Sequence, residues 1–209
     1  MSEIKENSIQ IFLNQLASSS ATPGGGSVAA LMGAQSAALI SMVCNLTIGK
    51  AKYTEVELEM KALLHQTEDL REKLTALIKA DVDVFTHLMN AYGMTKQTDD
   101  EIRVRSEAIQ NVLKAATEVP LECARLCSEL IPLSSHAANK GYVGVISDAG
   151  AAVMAAYSGL KSSALNVYIN TSSLKDQDFA QAKLIELEAI MKGADIAAEE
   201  IYQTVKNRL

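Results

Sequence analysis

The chain has 209 residues, 48% of them hydrophobic and 21% charged, which is enough for one sizeable core and too short to require a second domain. Its net charge of −6 comes from interleaved acidic and basic residues with no Lys/Arg block, which argues against a nucleic-acid partner. Only 4% of residues are aromatic, none is Trp, and three are proline, so small and aliphatic side chains favour long, closely packed helices over an aromatic-rich β core.

Cys44, Cys123 and Cys127 contain no CxxC, and His65, His87 and His136 are scattered singly, so no metal site is expected. The thiols read as buried groups in a reducing cytosol. The first residues, MSEIKENS, lack the basic and apolar regions of a signal peptide, so a cytoplasmic location is expected.

The first helix is predicted from about Glu3 to Ser18, with Ile4, Ile9, Phe12, Leu13 and Leu16 on one face. A breaker follows, ending in Pro23-Gly24-Gly25-Gly26-Ser27. Three glycines before a core helix cost backbone entropy, so they imply positive φ or a close approach. The N–H groups of the following helix start suit an anion or a planar polar ligand, although no strand precedes and no GK[ST] follows, and a flexible loop plus an N-cap fits the same residues.

The second helix is predicted from near Ser27 to about Ile48. Ala29, Gly33, Ala37, Ser41 and Asn45 recur along it every four residues, a stripe that admits another backbone. No charge occurs between Pro23 and Lys50, close to the length of a bilayer span, but Gln35, Ser36, Ser41, Asn45 and Thr47 interrupt the stretch. A helix buried on all sides in a bundle, with no membrane partner, is the expectation.

A long helix is predicted over about Thr54 to Tyr92, with Leu58, Leu63, Leu70, Leu74, Leu77 and Ile78 inward and Gly93 as its stop. Asp81, Val84, Phe85 and Leu88 share a face, so Asp81 falls against apolar neighbours while Asp83 turns away. Such a carboxyl has a raised pKa and can serve as an acid or base near neutrality. An ordinary boundary Asp, paired or capping, fits the same pattern.

Asp99 or Asp100 is expected to cap a helix over roughly Glu101 to Leu130, with Pro120 kinking or breaking it and Pro132 marking its end. Asn139 to Ile146 reads as a loop. Ser147 then caps a second small-residue helix, with Asp148 in its first turn, running through Asn170. Asn45, Asn166 and Asn170 are neutral amides on otherwise apolar helices and need partners, in the core or in a ligand. Asp176 or Asp178 opens a last helix to near Arg208. The whole is an all-α, up-and-down bundle of about six long helices, a single domain over residues 1–209.

Taken together, PGGGSVAALMGAQSAALISMVCNLTIGKAKY (Pro23 to Tyr53), Asp81 to Lys96, SDAG (Ser147 to Gly150) and ALNVYIN (Ala164 to Asn170) resemble, in order and spacing, the formiminotransferase-cyclodeaminase C-terminal domain family. That family includes stand-alone methenyltetrahydrofolate cyclohydrolases. The resemblance implies a helical homodimer with folate near the subunit interface. It also implies hydrolysis of 5,10-methenyltetrahydrofolate to 10-formyltetrahydrofolate, with no cofactor beyond that substrate.

It assigns Asp81, Lys96 and Asp148 to catalysis, with Asp81 the favoured base. Gly24, Gly25, Gly26, Ser27, Asn45, Lys50, Tyr53, Asn166 and Asn170 fall to substrate binding. Two departures stand out: Met94-Thr95-Lys96 replaces the usual Leu-Pro-Lys, and Tyr168 stands where the family usually has Arg or Lys. Cyclodeaminase is the alternative activity, less favoured in a chain of this length without a formiminotransferase domain. A non-catalytic folate-binding dimer is the third reading.

Overall fold

The computed structural model of the chain describes residues 4–209. Among them the elements are all helical: α1 (Ile9–Leu16), α2 (Gly25–Thr47), α3 (Glu57–Tyr92), α4 (Asp99–Lys140), α5 (Ile146–Ser172), α6 (Gln177–Met191) and α7 (Ala194–Lys206), with short 3₁₀ turns leading into α1, α3 and α5. The expected all-α bundle is therefore present. Helices α2 to α5 run up, down, up and down, and α6 and α7 pack on the outside of α4 and α5.

Where the four long helices meet, small residues set the spacing. A Cβ on Gly33 of α2 would stand 2.8 Å from both Cys127 Sγ of α4 and Leu74 Cδ2 of α3. A Cβ on Gly159 of α5 would stand 2.9 Å from the same sulfur and 3.0 Å from the Ala29 carbonyl oxygen. Ala29, Gly33, Ala37 and Ser41 are all buried, as the four-residue spacing implies. Asn45 is exposed, because each four-residue step advances about 40° around the helix and the fifth position has drifted to the outside.

The boundaries depart from the sequence reading in instructive ways. The start expected at Glu3 lies outside the described residues. Ser8 caps α1 by accepting from the Ile11 N–H at 3.2 Å, and of the expected inner face only Phe12 is buried, with Ile9 80% exposed. Leu58 is exposed as well. Met60, Leu63, Thr67, Leu70, Leu74 and Ile78 form the buried row of α3, and Leu58 sits about 140° from Leu63 on the helix wheel.

Thr98, not Asp99 or Asp100, caps α4, through a reciprocal capping box with Glu101. Neither Pro120 nor Pro132 ends that helix, which runs on to Lys140 because packing against α3 and α5 outweighs two missing N–H groups. Ser147 lies inside α5, whose N-cap is Val145. Asp176 does cap α6, accepting from the Phe179 N–H at 3.0 Å, but Gly193, at φ 75°, splits the predicted last helix into α6 and α7.

One expectation about α2 is overturned. Both α2 and the segment through α5 are long and apolar enough to cross a membrane; each packs against several helices of the bundle and still leaves part of its surface outside it. Met42, Leu46, Met154, Leu165, Tyr168 and Ile169 lie exposed on their outer faces. Helix α2 is therefore not buried all round.

Candidate active site at the start of helix α2

Gly24 enters α2 in an extended conformation and serves as its N-cap without a side chain, so the first-turn N–H groups are left for other partners. None of the three glycines uses positive φ; among the described residues only Gly49 and Gly193 do. The reason for glycine is close approach. A Cβ on Gly26 would stand 2.0 Å from Asp81 Oδ1 and 2.6 Å from its Cγ. The Asp81 carboxylate of α3 thus lies directly against the first turn of α2, in the place an external anion would otherwise occupy.

Ser27, fully buried, donates its hydroxyl to Asp81 Oδ2 at 2.7 Å. Burial pushes the Asp81 carboxyl above the ordinary carboxylate range, and hydrogen bonding from the Ser27 side chain and backbone pulls against it. The outcome is a half-buried acid whose protonation is poised by two opposing causes. Asp83, two residues on, is exposed and pairs with Lys79.

Asn166 of α5 completes the group. Its Nδ2 lies 3.8 Å from where a Cβ on Gly25 would be, and it donates to the Ser162 carbonyl at 2.9 Å. Asn170, one turn further, turns to α4 and donates to the Ala116 carbonyl at 2.7 Å. Asp81, Gly25, Gly26, Ser27 and Asn166 therefore converge at one end of the bundle, with Asn170 beside them.

The other sequence-derived residues stand elsewhere in the protomer. Lys96 is exposed in the loop after α3, beyond the helix end at Tyr92, which lies about 16 Å along the axis from Asp81. Asn45, Lys50, Tyr53 and Asp148 lie at the opposite end, since the 23 residues of α2 span about 34 Å.

At that far end Lys50 Nζ sits 4.2 Å from the centroid of the Tyr142 ring, and Tyr53 meets the same ring edge-on at 6.0 Å. The Tyr53 hydroxyl accepts from the Val143 N–H at 3.1 Å, and Thr47 Oγ1 accepts from the Tyr142 N–H at 2.8 Å. These bonds tie the turn that feeds Asp148 into α5 to the end of α2.

Known proteins decide the kinship. A family model described as Formiminotransferase-cyclodeaminase matches residues 8–189. The chain belongs to the formiminotransferase-cyclodeaminase family. It is 53% identical to the methenyltetrahydrofolate cyclohydrolase of Methylorubrum extorquens, over 96% of this chain and 97% of that protein. It is 30% identical to the rat formimidoyltransferase-cyclodeaminase over 96% of its own length, but spans only 37% of that longer protein. The crystal structure of formiminotetrahydrofolate cyclodeaminase from Thermotoga maritima superimposes with a TM-score of 0.82 and 32% identity, covering 99% of this chain and 98% of that one.

Within this family member, sequence reasoning did not single out Tyr142 or Thr47. An aromatic bracketed by Gly141 and Gly144 was the available signal: a Cβ on Gly144 would stand 2.5 Å from the Tyr142 ring, so the turn can wrap around the ring only with glycine there. The structural tie between Asn170 and Ala116 was also not legible, because it depends on which helix lies beside Pro120.

Proposed function

We propose that the protein is a methenyltetrahydrofolate cyclohydrolase that converts 5,10-methenyltetrahydrofolate to 10-formyltetrahydrofolate. The observation that carries this reading is its near full-length similarity to the Methylorubrum cyclohydrolase, the more similar of the relatives above. The geometry supports it chemically. The substrate is a cationic amidinium, and Asp81 presents a carboxylate against the glycine turn, held there by Ser27 and close to the Asn166 amide.

In the proposed reaction Asp81 takes a proton from water as the oxygen bonds to the one-carbon centre, giving a neutral carbinolamine. The C–N bond to the ring nitrogen then breaks as that nitrogen receives the proton from Asp81. The carbinolamine hydroxyl releases its own proton as the formyl carbonyl forms. The negative charge of Asp81 also attracts the cation before reaction. Asn166 supplies an amide for the pterin, and no cofactor takes part.

The protein acts, in this reading, as a cytoplasmic homodimer with neither a nucleic-acid nor a membrane partner. Helix α2 contains no charged residue, and α5 contains only Asp148 and Lys161. Their outer faces form a strip about 34 Å long and two helices wide, roughly 650 Å², comparable with the ~800 Å² per partner of a stable interface. A two-fold axis lying in that strip and crossing α2 near its middle makes the paired helices antiparallel. It carries Asn45, Lys50, Tyr53 and Asp148 of one protomer to the Asp81 end of the other.

The test is loss of the long-wavelength absorbance of 5,10-methenyltetrahydrofolate with purified protein. Accelerated loss, abolished by Asp81→Ala, is expected. Turnover of Asp81→Ala within a few-fold of the native rate would remove Asp81 as the base. Similarity to the Thermotoga cyclodeaminase favours 5-formiminotetrahydrofolate as the second substrate to try. Folate binding without turnover of either would leave a binding protein.

A further inference from the structure

Helix α4 continues through Pro120, and a proline there denies the Ala116 carbonyl, four residues earlier, its helical N–H donor. The donor comes from another helix: Asn170 of α5, at 2.7 Å. A buried carbonyl left without a partner costs about 1–3 kcal/mol, so this cross-helix bond is directional and worth keeping.

The level at which it occurs is the level where the apolar core is interrupted. The main cluster ends with Ile78, Leu121 and Val167, and a second small cluster begins with Leu88, Leu113 and Leu174. Between them lie Asp81, Val84, Phe85, Ala116, Thr117 and Asn170, with Asn166 at the last level of the main cluster. Fully buried apolar side chains are few in this band, and the Asn170 bond ties α5 to α4 within it; Gln110, bonded to the Ser173 carbonyl and the Lys175 N–H, holds the end of α5 beyond it.

We propose that Asn170 is a positioning residue: by bonding the carbonyl freed by Pro120, it sets the register of α5 and so holds Asn166 against the glycine start of α2. Asn166 is tethered to its own helix through Ser162 and lies beside Gly25, so it moves only as α5 moves. The register claim stands on the fold alone, and only its kinetic readout rests on the folate reading.

The experiment compares Asn170→Ala, Pro120→Ala and the double variant. The measurements are melting temperature, amide exchange over Gly24–Ser27 and KM against kcat for 5,10-methenyltetrahydrofolate. Asn170→Ala should melt a few degrees lower, exchange faster at the glycine turn and raise KM severalfold with a smaller change in kcat. Replacing Pro120 returns an N–H to the Ala116 carbonyl, so the double variant should recover most of all three.

Additive losses, or unchanged exchange in Asn170→Ala, overturn the proposal. So does a KM that stays raised while melting and exchange recover, because Asn170 then touches substrate itself. If Asn170→Ala alone does not fold, a folded double variant supports the coupling and an unfolded one overturns it. If the native protein has no folate activity, melting and exchange still decide.

Discussion

Gly26 and Asp81 constrain each other: the glycine exists so that the carboxylate can lie against the helix start, and the carboxylate there is held by Ser27. Gly26→Ala should leave the fold nearly intact, because the obstructing group is the end of a side chain that can swing aside. The displaced carboxylate would lose its Ser27 bond, and a misplacement of about 1 Å can cost ~100-fold in rate. We expect kcat/KM to fall by about that factor with little change in melting temperature.

The raised pKa of Asp81 gives a second expectation, independent of activity. A carboxyl whose folded pKa is raised contributes stability that is fully present below its unfolded value and is lost as pH rises through the folded value. Asp81→Asn keeps an acceptor for Ser27 but carries no buried charge. It should melt a few degrees higher than the native protein at neutral pH, with the gain fading as pH falls towards about 4. A variant that melts lower at pH 7 would mean that the helix N-terminus outweighs burial.

At the scale of elements, the bundle depends on glycines that have no conformational role. Gly33 and Gly159 sit on neighbouring helices against the same Cys127 sulfur. Gly33→Ala must displace Leu74 or Cys127, both buried, and should destabilise by about 1–3 kcal/mol by overpacking, read as a lower denaturant midpoint with unchanged m-value.

Much of this element was legible. The four-residue recurrence from Ala29 to Ser41 announces a close-packed face, and Asp81 on an apolar face of α3 announces a perturbed carboxyl. The continuous α4 was not legible, since Pro120 and Pro132 are local stop signals that only tertiary packing overrides. Nor was the break at Gly193, because a single glycine in an amphipathic pattern fits either a tolerated residue or a left-handed cap. Lone Asn residues were ambiguous for a similar reason: Asn166 and Asn170 differ by one turn, and only the neighbouring helices separate a site amide from a carbonyl partner.

At the scale of the whole molecule, the family residues other than Lys96 fall into two groups at opposite ends of α2, separated by about 34 Å of uncharged helix with one exposed face. One folate cannot bridge that span in a single protomer, whereas an antiparallel pairing of α2 across a two-fold axis brings unlike ends together. If so, a site missing Asp81 and a site missing Asp148 are complementary defects carried by different subunits. Asp81→Ala and Asp148→Ala should each be inactive alone. Unfolded together and refolded as an equal mixture, half the dimers are mixed, each with one of its two sites intact, so about a quarter of native activity should return. Placing Glu at Met42, an exposed apolar position on the strip, should split the native protein into protomers by light scattering and abolish this recovery. If both variants are inactive and the mixture stays inactive while the native protein remains dimeric, the antiparallel pairing across α2 is wrong; if Asp148→Ala is active on its own, Asp148 has no part in the reaction.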